Sequence, residues 1–233
     1  MSPLHERIRE NLRNIQQRVA AACGRAGRDP AEINLVAVTK YASEAAVRAL
    51  YDVGHRDFGE SRPLQLAGRA EQFPPDVRWH LIGHLQRNKA SRIVPLVHRI
   101  HSVDSLRLLR CLDEAAAKEQ RRVRVLLEVN VSGEASKDGY SPDALLMEWG
   151  DLTTATHLDI VGLMTMAPLD ANETGVRTVF RGLRRLCDEL VKRGPLTLPE
   201  LSMGMSGDYE IAIEEGATHI RIGSALFDGC DAS

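Results

Sequence analysis

The run Ile33-Asn34-Leu35-Val36-Ala37-Val38-Thr39-Lys40 is short, apolar and β-branched, and it stops on a lysine. Its composition predicts a buried strand over 33–40. An ammonium at the tip of such a strand is expected to be desolvated, which brings its neutral, nucleophilic form within easier reach. A lysine so placed can attack a carbonyl and form a Schiff base.

Upstream of this run, Leu4, Ile8, Leu12, Ile15 and Val19 recur at helical spacing, and the helix they predict closes near Gly24-Arg25-Ala26-Gly27. Downstream, strand-like runs at 56–60, 77–83, 98–103, 122–131, 158–167, 200–205 and 219–223 alternate with helical patterns at 43–53, 106–120, 173–193 and 208–215. Such alternation signals a parallel sheet. Eight strands are the number a closed (β/α)8 TIM barrel needs, with an open doubly wound sheet as the alternative. No linker rich in Pro, Gly or Ser divides the chain, so it reads as a single α/β domain over 1–233, with an N-terminal helix at 1–27 and the barrel at 33–229. A barrel places its site at the C-terminal ends of the strands, with a phosphate beside the seventh and eighth.

The 30 basic and 32 acidic side chains among 233 residues leave a formal charge of -2, which gives no global attraction to nucleic acid or to an anionic membrane. Cys23, Cys111, Cys187 and Cys230 form no C-x-x-C pair and suggest neither a zinc site nor a redox dithiol. No signal-peptide core is present, and no apolar run approaches the roughly 20 residues of a membrane span. The expectation is a cytoplasmic protein with reduced thiols and no metal.

The seventh strand runs into Leu201-Ser202-Met203-Gly204-Met205-Ser206-Gly207-Asp208, where small residues and hydroxyls precede a helix. Such a turn can aim backbone N–H groups and the Ser206 hydroxyl at an anion, although Ser206 or Asp208 can equally serve as an N-cap. The eighth strand continues His219-Ile220-Arg221-Ile222-Gly223-Ser224-Ala225-Leu226-Phe227. Gly223 permits close backbone approach, and Ser224 adds a hydroxyl and another N–H. Two adjacent turns of this kind point to a phosphate cup. Arg221 shares a strand face with Gly223, and inside a barrel it needs a partner, either a ligand or an inward carboxylate such as Glu128. A Schiff-base lysine, a phosphate cup and an arginine between them match pyridoxal 5′-phosphate, with the aldehyde at Lys40 and Arg221 at the ring nitrogen. A guanidinium cannot accept that nitrogen's proton, so the ring stays a neutral pyridine and a weak electron sink.

Further motifs carry a resemblance. They are Ala37-Val38-Thr39-Lys40, Phe58-Gly59-Glu60-Ser61, Trp79-His80-Leu81-Ile82-Gly83-His84-Leu85-Gln86-Arg87-Asn88-Lys89, His101-Ser102-Val103-Asp104, Val129-Asn130-Val131-Ser132, Ser136-Lys137-Asp138-Gly139 and Gly162-Leu163-Met164. With the two phosphate turns, the chain from about Leu35 to Phe227 resembles the YggS/PROSC family of pyridoxal-phosphate-binding homeostasis proteins, relatives of the N-terminal barrel of alanine racemase. The resemblance implies a fold-type III barrel, a covalent aldimine on Lys40, Ser206, Gly223 and Ser224 around the phosphate, and Arg221 facing the pyridine nitrogen. Ser202, Met205, Ser61, His80 and Met164 complete the candidate cofactor-binding set.

Ser61 departs from the Gly-Glu-Asn usual in that family and is short enough to reach the ring only through water. Tyr41 stands where many relatives carry threonine; it either lines the mouth or covers the first helix. His80 is a candidate neighbour of the ring, with a satisfied barrel histidine as the competing description. Lys137 reads as a lid or secondary lysine, or more simply as an exposed loop lysine.

The expected function is a non-catalytic carrier that buffers pyridoxal phosphate and supplies it to pyridoxal-phosphate-dependent apoenzymes. Racemases of this type draw a catalytic tyrosine from a second domain, for which these 233 residues leave no expected room. The alternatives are an amino-acid racemase using Lys40 with Tyr41 or His80, and a class I aldolase-like Schiff-base enzyme. A monomer is expected, with its first helix shielding the barrel bottom.

Overall fold

The computed structural model describes residues 2–134 and 137–230. Its strands are β1 (Asn34–Val38), β2 (Asp57–Glu60), β3 (Arg78–Leu81), β4 (Arg99–Val103), β5 (Val123–Glu128), β6 (Leu158–Met164), β7 (Glu200–Ser202) and β8 (His219–Ile222). They close in chain order into an all-parallel barrel, with β8 returning to β1 through the register Asn34↔His219 to Ala37↔Ile222. The closed barrel therefore holds over the open sheet.

The helices form where capping and apolar spacing agree. Ser43, Ser105, Ser141 and Asn172 each accept a first-turn N–H at the starts of α2 (Glu44–Asp52), α5 (Leu106–Lys118), α6 (Pro142–Leu152) and α7 (Glu173–Arg193), satisfying donors that a helix cannot pair internally. In α7, Val176, Val179, Phe180, Leu183, Leu186, Cys187 and Leu190 are buried at three- and four-residue spacing against the barrel. The remaining helices are α3 (Pro63–Gln72), α4 (Ala90–Ile93) and α8 (Tyr209–Glu214).

Several strands end earlier than the sequence suggests: β1 at Val38, β5 at Glu128, β6 at Met164 and β7 at Ser202. Side-chain hydroxyls take over at these ends. Thr39 donates to Glu60 at 2.9 Å and Thr165 donates to the Val129 carbonyl at 2.7 Å, so the chain leaves the ladder with its polar groups paired.

The N-terminal helix α1 (Pro3–Ala26) ends on Gly27, whose φ of 65° suits glycine at a helix C-terminus. It does not cover the barrel bottom. It packs on α2 and α8 and runs down the side of the barrel. Asn11 donates to the carbonyls of Leu226 and Asp228, past the C-terminal end of β8, while Arg28 donates to those of Ile213 and Ala217, before its start. Arg18 and Arg25, paired with Glu210 and Glu214, hold the helix to this position.

The interior is unusually polar for such a barrel, whose layers are ordinarily filled by branched aliphatic side chains. His80, Arg99, His101, Glu128, Ser202, His219 and Arg221 are all buried. At Gly162 the β6 backbone lies so close to β7 that a Cβ would overlap the Glu200 carbonyl. Cys23, Cys187 and Cys230 are buried, and among the described residues no disulfide forms. Among the described residues no helix is long and apolar enough to cross a membrane.

Candidate functional site

The strand order puts Lys40, just beyond β1, between Ser61 after β2 and Gly223 after β8. Lys40 is not desolvated. It lies exposed in a turn two residues past the strand end, its Nζ 5.0 Å from the centre of the Tyr41 ring. The cause is local: Thr39 turns inward to Glu60, the strand stops, and Tyr41, 77% exposed, leaves the ammonium uncovered. The Arg62 guanidinium sits 6.0 Å from the Tyr41 ring.

The turns after β7 and β8 come together. Ser206 and Gly207 from the β7 turn and Ser224 and Ala225 from the β8 turn line one open cleft of about 560 Å³. The Ser206 hydroxyl accepts the Ala225 N–H at 3.4 Å, tying the two turns together. Asn11, Asn14, Ile15 and Arg18 of α1 form the opposite wall, a contribution that the sequence reading missed. Met205, in the same β7 turn, donates its N–H to the Asp208 carboxylate at 2.6 Å. That carboxylate makes no cap bond to α8. Gly223 is crowded by β1, since a Cβ there would stand 3.3 Å from the Val38 carbonyl oxygen.

Arg221 lies on β8, two residues before Gly223. It is 3% exposed, and it donates from Nη1 to Ser202 Oγ at 2.7 Å and from Nη2 to the Thr165 carbonyl at 2.9 Å. Burial pulls its pKa down to about 10, opposed by the charges of Glu128 and Asp208, so it remains cationic at neutral pH. The Glu128 salt bridge considered from sequence is not made: among the described residues no carboxylate oxygen lies within 4.0 Å of the guanidinium. A buried cation without a contacting carboxylate, and with further N–H donors beyond the two used, suits a ligand atom that accepts.

Ser202 and His80 lie deeper than a cofactor-lining role implies. Ser202 and His80 are wholly buried, Ser202 beneath Arg221. His101 Nδ1 stands 2.8 Å from Ser202 Oγ, His101 Nε2 stands 2.9 Å from His80 Nδ1, and His80 Nε2 stands 3.1 Å from Asp57 Oδ1. Arg78 pairs with the same Asp57. Burial lowers the pKa of both histidines. Burial works to raise the Asp57 carboxyl, but hydrogen bonds from Arg78 and His80 outweigh it and hold it well below the usual range.

Glu128, at the end of β5, is a titratable group that the sequence reading left as a bare ion-pair alternative. Burial, then repulsion from Asp104 and Asp138, pushes its carboxyl up to about 7, with Arg221 and His84 pulling the other way. Its register partner on β6 is Met164, which is buried. Ser61 is half-buried and lines a separate hollow of about 470 Å³ with Arg62, Leu64, His84 and Lys89. His84 bonds Asp104 at 3.0 Å. Lys137 is not an exposed loop lysine: it is half-buried, paired with Glu134 and 3.4 Å from the Met166 carbonyl, while Ser136 of the same motif lies outside the described residues.

Residues 5–230 match the family described as alanine racemase, N-terminal domain. The pyridoxal phosphate homeostasis protein of Pseudomonas aeruginosa is 40% identical over 225 residues, covering 96% of each chain. That of Aquifex aeolicus is 39% identical over 219 residues, covering 94% of this chain and 96% of its own. Among solved structures, PipY of Synechococcus elongatus with PLP bound superposes with a TM-score of 0.80 at 36% identity, covering 91% of this chain and 99% of its own.

Proposed function

Because the chain belongs to the alanine racemase N-terminal domain family, and within it to the pyridoxal phosphate homeostasis proteins, we propose that it binds pyridoxal 5′-phosphate and holds it in reserve for pyridoxal-phosphate-dependent apoenzymes. The observation that carries this reading is Arg221, a buried guanidinium with donors to spare on β8, the strand that pairs with β1 just before Lys40 and whose following turn lines the serine cleft.

When bound, the cofactor supplies an aldehyde able to join an amine and a ring able to withdraw electrons. The residues divide the work around it. Lys40 is the point of covalent attachment, and its exposure keeps that bond open to water and to competing amines. Ser206, Ser224 and the backbone of the two turns hold the phosphate. Arg221 donates to the ring nitrogen and, remaining cationic, cannot take a proton from it or give it full positive charge, which suits storage better than carbanion chemistry.

The racemase alternative needs a second base opposite Lys40. His80 does not meet that need, since both its ring nitrogens are engaged in the interior. Tyr41 is exposed at the mouth and remains the one tested by experiment. The protein acts as a cytoplasmic monomer in this reading.

The deciding assay loads the purified protein with pyridoxal phosphate, then adds an apoenzyme and, separately, single-enantiomer amino acids. Recovery of the apoenzyme's activity without steady loss of optical purity is expected. Sustained racemisation that disappears in Tyr41→Phe contradicts a storage role.

A further inference from the structure

We propose that Asp57, His80, His101 and Ser202 are positioning residues that form a one-directional hydrogen-bond relay through the barrel, fixing Arg221 as a donor toward the bound ring. The inference rests on the cofactor site read above, but the order of its hydrogens follows from the chain's own atoms.

Arg221 can only donate, so Ser202 Oγ accepts from Nη1 and must spend its own hydrogen elsewhere. The acceptor within reach is His101 Nδ1 at 2.8 Å. With Nδ1 bare, the single proton of neutral His101 lies on Nε2 and points at His80 Nδ1, 2.9 Å away. His80 then carries its own proton on Nε2, facing Asp57 Oδ1 at 3.1 Å. At the far end the Asp57 carboxylate, already bonded by Arg78, can only accept. The two ends dictate the same direction independently. Reversing it would set a His80 lone pair against a carboxylate and strand the Ser202 hydrogen in a buried site.

The surroundings keep both rings neutral. Arg78 of β3, His98 just before β4, Arg99 of β4, and His219 and Arg221 of β8 face them, and an added imidazolium charge would meet cations on several sides. Asp57 is the carboxylate in contact with the relay.

The consequence reaches the cofactor site. Ser202, His101 and His80 all present a lone pair toward Arg221 and a hydrogen toward Asp57. Their aligned dipoles bring part of the Asp57 charge to a guanidinium that has no carboxylate of its own, and such chains strengthen one another in a low-dielectric interior. Anchored at Nη1 by Ser202 and at Nη2 by the Thr165 carbonyl, Arg221 is held with its remaining N–H groups free for the ring nitrogen.

The test uses intact protein labelled with ¹⁵N-histidine, with and without pyridoxal phosphate. Long-range ¹H–¹⁵N spectra should show His80 and His101 as neutral Nε2–H tautomers in both states between about pH 6 and pH 8. An Nδ1–H tautomer at either ring, or a titration within that window, overturns the relay. In parallel, His101→Leu should weaken pyridoxal phosphate binding on the order of tenfold. His101→Gln, whose amide can accept from Ser202 and donate to His80, should restore most of that affinity. Wild-type affinity in His101→Leu, or equal losses in both variants, overturns the positioning role. Correct tautomers in a protein that takes up no pyridoxal phosphate would sink the functional reading and leave the relay as an anchor of Arg221 alone.

Discussion

Replacing Glu128 with glutamine should stabilise the cofactor-free protein above neutral pH and do little in acid. The Glu128 carboxyl is 5% exposed, and its pKa stands at about 7 against an ordinary 4.5. Between those two values the native state holds a proton that the unfolded chain has released, so stability falls as pH rises from about 4.5 to about 7 and then levels off. A shift of roughly 2.5 units at 1.36 kcal/mol per unit makes the penalty about 3 kcal/mol. Glu128→Gln keeps the shape of the neutral acid and removes the titration. Urea and thermal unfolding at about pH 5 and about pH 8 read the difference. The variant should gain about 3 kcal/mol on wild type between those conditions, or about 6–12 °C in melting temperature for a chain of this size. An offset equal at the two pH values, or one that turns against the variant as pH rises, would refute the reasoning.

Gly162→Ala forces a Cβ onto the Glu200 carbonyl and should cost ~3 kcal/mol by moving β6 off β7, read as a lower urea midpoint with an unchanged slope. Asn11→Ala strips the amide that bonds the Leu226 and Asp228 carbonyls, and should cost about 1–3 kcal/mol. Hydrogen exchange should then quicken in the segment after β8 and widen the cleft wall that α1 provides. Unchanged exchange there would mean that α1 does not hold the segment.

The barrel was legible because each strand is a compact β-branched run and each connection carries helical spacing, as in 33–40 followed by 43–53. Strand ends were less so. Thr39 and Thr165 look like strand residues in sequence, yet their hydroxyls bond across to Glu60 and Val129 and end the ladder early. The same turn exposes Lys40, which periodicity alone had buried. The meeting of the turns after β7 and β8 was readable because hydroxyl and glycine positions recur after adjacent strands; the α1 wall was not, because Asn14 and Arg18 are polar positions on an otherwise ordinary amphipathic helix. The interior relay was hidden for another reason. Asp57, His80, His101 and Ser202 lie on four strands, and only barrel closure brings β7 and β8 across from β3 and β4. Inward polar residues at alternate strand positions were the available signal, seen at Arg221 and weighed against core packing at His80.

The most direct test of Lys40 as the attachment point is borohydride reduction of protein loaded with pyridoxal phosphate, followed by peptide mapping. The visible absorbance band should vanish on reduction and a pyridoxyl-phosphate mass should sit on Lys40, with both lost in Lys40→Ala. A stable adduct on Lys137 or another lysine, or a visible band that survives in Lys40→Ala, would contradict it.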